Sequence, residues 1–574
     1  MSRLRFLTAG ESHGPALVGI LDGLPAGLWL LASHLERDLL RRKLGYGRGG
    51  RMAIEPEKPQ ILAGVRHGRT LGSPLALMIE NVDHAKAWST RMSVGPLLPQ
   101  ATNDERGRTV SLPRPGHADL TGSIKFGHRD LRNSLERASA RETAMRVGLA
   151  AAARRLLDEL DIRIGSWVTS IGTARAREGS WGIDSAEDAE ALALRADQSS
   201  VRCLDAQAER SFREAIEEAR SRRDTIGGTF EVRVTGLVPG LGSYAQQDLR
   251  MDGRLARALA SIPAIKAVEL GDGWRAGELF GSQVHDPMFR VGGGVGRDTN
   301  HAGGLEGGVT NGEPLVVRAA MKPIATVPAA LRSVDLLTGQ PDEAHVERSD
   351  TCAVPAAAVV GEAVVALCIA DALLEKLGGD SMEELYAAHR LAWRRARPLA
   401  GHVFLCGLPG AGKSTLAPLL AQQLGLPSIE LDQQIERAAG KSVADIFAGE
   451  GEAGFRLREA EAVRAAVRGP RSVISLGGGA LLSRGVRLAV RATGHLLLLR
   501  APVELCLTRS ASGERPLLAG DAAAKLHELA EQREPHYARV ADSILEVQPG
   551  LSPQQLAAQA SAAVTALEAQ RAHA

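Results

Sequence analysis

Hydrophobic spacing changes character along the chain, and the change predicts its elements. From residue 402 onward short apolar runs alternate with helix-spaced segments. Val403-Phe404-Leu405-Cys406 reads as a strand, and Leu416, Leu419, Leu420 and Leu424 come next at helical intervals. Val473-Ile474-Ser475-Leu476 and Leu496 to Leu499 repeat the strand signal. Such uninterrupted runs, separated by helices, predict a parallel sheet whose ligands gather at the carboxyl ends of the strands. Ile429-Glu430-Leu431-Asp432 reads as the end of a further strand. Glu430 and Asp432 would then share a face, because strand side chains alternate.

Upstream, Pro355 to Leu377 is rich in Ala and Val with almost no charge before Asp371, and Gly378-Gly379 stops it. That pattern predicts a buried helix. A shorter polar helix is expected from Met382 to Arg397, with Arg394, Arg395 and Arg397 in its last turn and Pro398 beyond. Arg137-Ala138-Ser139-Ala140-Arg141-Glu142 opens a long helix that ends near Leu160, and the Ala/Gln-rich C-terminus reads as a terminal helix. The expected organisation is a domain over 1–377, a linker over 378–399 and a second domain over 400–574.

Length supports two cores, since 574 residues exceed what one core holds. The formal net charge of +2 selects neither a nucleic-acid binder nor a polybasic membrane-surface protein. Apolar content is 44%, and no unbroken apolar run reaches the about 20 residues of a membrane helix. The start becomes polar too soon for a secretory signal. Cys203, Cys352, Cys368, Cys406 and Cys506 are odd in number and show no CxxC pairing. Reduced thiols in a cytoplasmic protein are expected, with neither a disulfide framework nor a zinc cage.

The sharpest chemical signal is Gly407-Leu408-Pro409-Gly410-Ala411-Gly412-Lys413-Ser414, between the first strand and helix of the second domain. Backbone N–H groups from Gly410, Ala411, Gly412, Lys413, Ser414 and Thr415 can turn onto nucleotide phosphates. Lys413 reaches the β- and γ-phosphates, and the Ser414 hydroxyl ligates Mg²⁺. The loop alone leaves the phosphate acceptor open, because motors, GTPases and kinases share it.

Motifs downstream of the loop narrow the acceptor. Phe455-Arg456 opens a charged helix, Gly477-Gly478-Gly479 trails a strand, Arg515-Pro516-Leu517-Leu518 comes after a Ser/Gly-rich stretch, and Arg533 precedes Pro535 and Tyr537. In this order, over roughly 400 to 570, the motifs resemble the shikimate kinase family. The resemblance implies an α/β P-loop kinase domain. It implies that Asp432 binds the shikimate hydroxyls and serves as the base beside the attacking 3-hydroxyl. Arg456 and Arg533 would clamp the substrate carboxylate, Gly478 would contact the ring, and Arg515 would come from a lid onto the ATP phosphates. Two positions depart from the family pattern: Glu430 stands where Asp is usual, and a second lid arginine stands one place off, as Arg509. A gluconate- or nucleoside-type kinase of the same fold, or a non-catalytic assembly module, is the alternative reading.

The upstream domain has no phosphate loop, and Gly292-Gly293-Gly294-Val295-Gly296 does not fit a dinucleotide fingerprint. Its chemistry-bearing residues come in clusters. His13 and His117 stand in glycine-flanked turns, and Arg41-Arg42-Lys43 and Gly47-Arg48-Gly49-Gly50-Arg51 are basic, with Tyr46 the one aromatic between them. Arginine forks suit carboxylate and phosphate, and histidine exchanges protons near neutrality. These residues point to an enzyme of a small acidic metabolite, with a nucleic-acid binder as the competing reading.

The longer motifs separate those readings. Thr-Ala-Gly-Glu-Ser-His-Gly-Pro (8–15), Gly-Tyr-Gly-Arg-Gly-Gly-Arg-Met (45–52), Arg-Pro-Gly-His-Ala-Asp (114–119) and Arg-Ala-Ser-Ala-Arg-Glu-Thr (137–143) resemble the chorismate synthase family. So do Asn-His-Ala-Gly-Gly-Leu-Glu-Gly-Gly (300–308), Met-Lys-Pro-Ile-Ala-Thr (321–326) and Arg-Ser-Asp-Thr-Cys-Ala-Val-Pro (348–355). The resemblance implies an α+β fold, a β-α-β sandwich. It also implies overall 1,4-elimination of phosphate from 5-enolpyruvylshikimate 3-phosphate, requiring reduced FMN. His117 would protonate the reduced flavin, His13 the departing phosphate, and Asp350 would help deprotonate flavin N5.

By the same resemblance Arg42, Arg48, Arg114, Arg141 and Arg348 bind the substrate's anionic groups, with Arg42 and Arg48 also NADPH-linked. FMN would lie against Arg137, Ala138, Ser139, Pro263, Ala264, Gly307, Lys322, Pro323, Ile324, Ala325 and Thr326. A homotetramer built through this domain is implied, acting on small molecules with no nucleic-acid or membrane partner. NADPH or an outside reductase would supply the electrons.

Overall fold

The computed structural model describes residues 3–49, 55–96, 109–177, 188–397, 399–510 and 522–572. The chain divides into two compact units, one of residues 1–285 with 300–385 and one of 286–299 with 386–574.

The first unit is two antiparallel sheets with helices between them. One sheet runs in the order Arg5–Ala9, Ala16–Asp22, Leu75–Glu80, Pro59–Ala63. The other runs Ile265–Leu270, Leu315–Met321, Gly228–Thr235, Arg163–Ile171, Ala174–Arg175. Helix Thr143–Glu159 packs on the first sheet and against helix Val354–Leu377, which packs on the second. Gly19 permits the first contact, since a Cβ there would meet Met145 and Leu149 at 2.6–2.8 Å.

Helix Val354–Leu377 is long and apolar enough to cross a membrane by length and composition, yet 89% of that stretch is buried inside the protein. Its one interior charge, Glu362, is fully buried and accepts from Arg41 at 2.6 and 2.8 Å, Arg154 at 2.6 Å and Ser166 at 2.7 Å. A carboxylate is tolerated at that depth because cations and a hydroxyl saturate it. The network also ties helix Val354–Leu377 to helices Ala32–Lys43 and Thr143–Glu159.

The second unit is a five-stranded parallel sheet in the order Ser428–Glu430, Val473–Ser475, His402–Cys406, Gly494–Arg500, Ser543–Glu546. Strand alternation builds two cores. Val403 and Leu405 face helices Lys413–Leu424 and Pro553–Ala572, while Phe404 and Cys406 face the side holding helices Leu431–Ala439, Val443–Arg468 and Arg484–Thr493. The glycine run upstream forms a hairpin, Met288–Val291 with Gly294–Arg297, that belongs to this unit. The Gly293 N–H donates to the Thr493 carbonyl at 2.8 Å, and the Leu399 N–H to the Gly293 carbonyl at 3.0 Å.

Two local readings are corrected. Asp432 is on no strand: the strand stops at Glu430, and Asp432 lies in the first turn of helix Leu431–Ala439. Burial of Leu431 and Ile435, four residues apart, drives the helix. Phe455-Arg456 lies inside helix Val443–Arg468, which is broken at Gly451 (φ 71°).

Candidate active sites

In the first unit the turn between strands Arg5–Ala9 and Ala16–Asp22 presents His13, 7% exposed. Its Nδ1 lies 3.0 and 3.1 Å from the two oxygens of Glu136, and its ring stacks on Trp88 at 3.8 Å. His117 has a parallel arrangement, with Nδ1 2.6 Å from Asp119 Oδ1. Asp119 also accepts from Arg114 Nε at 2.8 Å, Arg114 Nη2 at 3.0 Å and the Arg114 backbone N–H at 3.1 Å. Burial alone would raise the Asp119 carboxyl, but His117 and Arg114 hold it well below the usual carboxylate range. The same Nδ1 also lies 3.0 Å from Arg114 Nη2, so His117, Asp119 and Arg114 form one bonded cluster.

Segment 321–326 closes on this second turn. Arg114 Nη1 donates to Thr326 Oγ1 at 2.7 Å, Lys322 Nζ to the Gly116 carbonyl at 2.7 Å, and the Lys322 N–H to the Ala264 carbonyl at 3.0 Å. Ala325 stands 3.8 Å from where a Gly116 Cβ would be, and the Ile324 carbonyl accepts from Thr225. Arg137 donates to the Thr8 and Gly10 carbonyls and the Thr8 hydroxyl, all neutral oxygens. Ser139 donates to Ser12 beside His13.

The remaining arginines arrive already paired. Arg42 and Arg141 share buried Glu57 at 3.0 and 2.6 Å, and Arg141 reaches Asn81, whose amide holds the Glu11 and Gly14 carbonyls of the His13 turn. Arg48 pairs with Asp350 at 2.6 Å, which also accepts the Gly49 N–H. Arg348 reaches Asp83 at 3.3 Å. Glu347 lies 3.5 Å from Arg132 and 3.1 Å from His345. Burial raises its carboxyl, but the His345 bond and the charges of Arg132 and Arg114 bring it down to about 2. Gly307 lies at a tight turn (φ 59°) where Arg250 donates to its carbonyl at 3.2 Å.

In the second unit the phosphate loop joins the central strand to helix Lys413–Leu424 at the sheet's carboxyl end. Gly412 adopts φ 100°, which favours glycine. Lys413 Nζ donates to the Gly407 and Leu408 carbonyls at 2.9 and 3.1 Å. Glu430, raised by burial, bonds Ser475 at 3.0 Å and also Ser414.

Residues 477–479 lie where Asp432, Glu459, Arg456 and Arg533 converge. A Cβ on Gly477 would collide with Glu459 and come 3.2 Å from Asp432 Oδ1. One on Gly478 would lie 3.0 Å from Arg533 Nη1, and one on Gly479 would overlap the Arg456 guanidinium. Three successive residues without side chains thus admit two carboxylates and two arginines. Arg533 is 2% exposed, and its Nε and Nη1 have no partner among the described residues. Buried donors of that kind fit an incoming anion such as a carboxylate.

Comparisons with known proteins match this division. Residues 4–374 match the family model for chorismate synthase, and residues 409–565 match that for shikimate kinase. The chorismate synthase of Desulforudis audaxviator (strain MP104C) is 54% identical over 395 residues, 69% of this chain and 98% of that protein. That of Pelobacter propionicus is 51% identical over 404 residues, 69% of this chain and all of the other. A chorismate synthase crystal structure is 42% identical with a TM-score of 0.54, covering 68% of this chain and 97% of that one.

The chain belongs to the chorismate synthase family. A shikimate kinase domain comes after the synthase domain, so the chain is a bifunctional enzyme of the shikimate pathway. The synthase domain has the expected β-α-β sandwich and the kinase domain the expected parallel sheet.

Arg515 and residues 50–52 lie outside the described residues. Arg509, given no role from its spacing, has Nη1 3.7 Å from the Gly412 Cβ position, beside the phosphate loop. Glu136, Trp88, Glu57 and Glu459 carry no motif that would single them out in the sequence. Glu459 is an i+3 partner of Arg456 at 2.7 Å, legible only through helical spacing. Glu136 meets His13 across 123 residues, and no local pattern signals it. No cluster of three or more His, Cys, Asp or Glu suited to a metal occurs among the described residues.

Proposed function

We propose that the synthase domain converts 5-enolpyruvylshikimate 3-phosphate to chorismate with FMN, and that the kinase domain phosphorylates the shikimate 3-hydroxyl with ATP and Mg²⁺. The synthase reading is carried by two histidines, each with Nδ1 against a carboxylate, set among arginines. Bound in reduced form, FMN supplies the electron-rich chemistry that lets a ring proton and phosphate leave together. Arg137, Lys322 and residues 323–326 would hold it, since Arg137 spends its hydrogen bonds on neutral oxygens and keeps its charge for an anion. His117 holds a proton at Nε2, His13 gives one to the departing phosphate, and Asp350, anchored by Arg48, faces the same chemistry as a base. Arg42, Arg114, Arg141 and Arg348 orient the substrate's anions.

In the kinase domain Asp432 receives the proton of the attacking hydroxyl, while Arg456 and Arg533 grip the acceptor carboxylate. Lys413 and Arg515 supply positive charge to the transferring phosphoryl group. Ser414 and its partner Glu430 would hold Mg²⁺. ATP consumption measured with shikimate, gluconate and nucleosides tests the acceptor, and turnover with gluconate or a nucleoside alone would refute this reading.

A homotetramer through the synthase domain is supported by the outward face of its first sheet. Leu7 and Ile20 pair across that face, and Val18 and Met78 continue it. Leu7 is 76% exposed. The five cysteines are free thiols, in keeping with a cytoplasmic enzyme. Anaerobic turnover of the enolpyruvyl phosphate with FMN, comparing NADPH with dithionite, tests the cofactor assignment. Turnover without FMN would refute it, and activity with dithionite alone would assign flavin reduction to an outside reductase.

A further inference from the structure

We propose that Glu136 is the positioning residue that makes His13 a proton donor at Nε2. The inference rests on the reading of His13 as the acid for the departing phosphate. Glu136 sits just ahead of the 137–143 motif and is fully buried at its side chain, and the imidazole it faces is 8% exposed. It holds His13 in two ways. One oxygen accepts the His13 backbone N–H at 2.9 Å, and both oxygens lie 3.0–3.1 Å from Nδ1. Trp88, stacked at 3.8 Å with 16° between the planes, prevents the ring from turning over.

An ionised carboxylate only accepts, so Nδ1 carries a hydrogen in both protonation states of the ring. Proton exchange is thereby confined to Nε2. In the step itself the C–O bond to phosphate breaks with its electron pair staying on the phosphate oxygen, and the pair of the ring C–H bond that loses its proton shifts into the new double bonds. That oxygen takes the Nε2 proton of His13, which is left as the neutral Nδ1–H tautomer without any ring rotation.

Charge around the pair makes Glu136 matter. Arg132 donates to Glu136 at 3.1 Å and lies over the Trp88 ring, as does Arg91. His84 contacts the His13 carbonyl, Glu11 shares the turn, and Glu347 stands 3.5 Å from Arg132. Removing the Glu136 charge takes away the carboxylate bonded to His13 Nδ1 and leaves the Arg132 guanidinium beside it. A purely architectural Glu136 would leave the proton affinity of His13 untouched.

The test uses the full chain with reduced FMN and measures chorismate formation against pH for wild type, Glu136→Gln, Glu136→Asp and His13→Ala. Glu136→Gln is expected to lower kcat at neutral pH by about 10- to 10⁴-fold, up to the whole contribution of a general acid, with KM nearly unchanged. Its alkaline limb should move to lower pH, so that the deficit shrinks as pH falls. Glu136→Asp, which keeps the charge, should restore the position of that limb. The unfolding transition of the full chain serves as the folding control, because the kinase belongs to a separate unit. A Glu136→Gln profile with wild-type limbs overturns the inference, whatever its rate.

Wild-type activity in His13→Ala would instead remove the underlying acid assignment. If Glu136→Gln does not fold, ¹⁵N-histidine NMR of the wild type decides, using the signal lost in His13→Ala. The neutral ring must be the Nδ1–H tautomer, and the Nε2–H tautomer would refute the proposal.

Discussion

Gly479→Ala isolates the floor of the kinase site. The added Cβ would overlap the end of the Arg456 side chain, which is 17% exposed and held by Glu459 at 2.7 Å and Glu452 at 2.9 Å. Gly479 itself has φ −107°, an ordinary backbone conformation, so the substitution brings no backbone strain. The collision is with a flexible tip, and the expected cost to folding is small. The cost to binding is larger. A guanidinium moved off the acceptor carboxylate forfeits a charge-assisted pair worth about 1.5–3 kcal/mol. That converts to a loss of about 10- to 150-fold in kcat/KM for shikimate. A coupled ATPase assay should register it mainly as raised KM for shikimate, with KM for ATP and chorismate formation unchanged. If the floor works through Arg456, Gly479→Ala combined with Arg456→Ala should be no worse than Arg456→Ala alone. Additive losses, or wild-type shikimate KM in the folded single variant, would refute the reasoning.

Glu347 predicts an acid-sensitive contribution in the synthase domain. Its folded pKa is about 2 against an ordinary 4.5, so its stabilisation, about 3 kcal/mol, is complete above pH 4.5 and lost as pH falls toward 2. Glu347→Gln should destabilise at pH 7 and converge with wild type in acid, as measured by denaturant unfolding; equal destabilisation at pH 7 and pH 2 would contradict this. Asp119→Asn should slow chorismate formation by about 10- to 10⁴-fold, up to the whole contribution of acid–base catalysis, and leave shikimate phosphorylation intact. A deficit in both activities would point to misfolding. Because the enolpyruvyl transfer between the two reactions has no counterpart in the chain, shikimate, ATP and phosphoenolpyruvate together should yield no chorismate until the transferase is added. Chorismate without it would contradict that reading.

Local pattern carried much of the architecture. The apolar run at Val403–Cys406 implied a strand buried on both faces, and its residues do divide between two cores. The Ala/Val run at 355–377 implied a buried helix, found as Val354–Leu377. The misreading at Asp432 arose where two periods overlap: Ile429 to Asp432 alternates like a strand, while Leu431 and Ile435 already keep the helical interval. Tertiary proximity was the other barrier. Glu136 finds His13 and Glu57 finds Arg141 across the fold, so sequence spacing could name the histidines and arginines without naming the carboxylates that hold them. The hairpin Met288–Arg297 gave no compositional sign of joining the second unit. What admits it is backbone approach at Gly293, where a Cβ would lie 2.8 Å from the Leu399 carbonyl oxygen.

Two independent active sites on one chain is the central claim, and paired assays of Lys413→Ala and His117→Ala test it most directly. Lys413→Ala should abolish shikimate phosphorylation while chorismate forms at the wild-type rate, and His117→Ala should do the reverse. Loss of both activities in either folded variant would contradict the account.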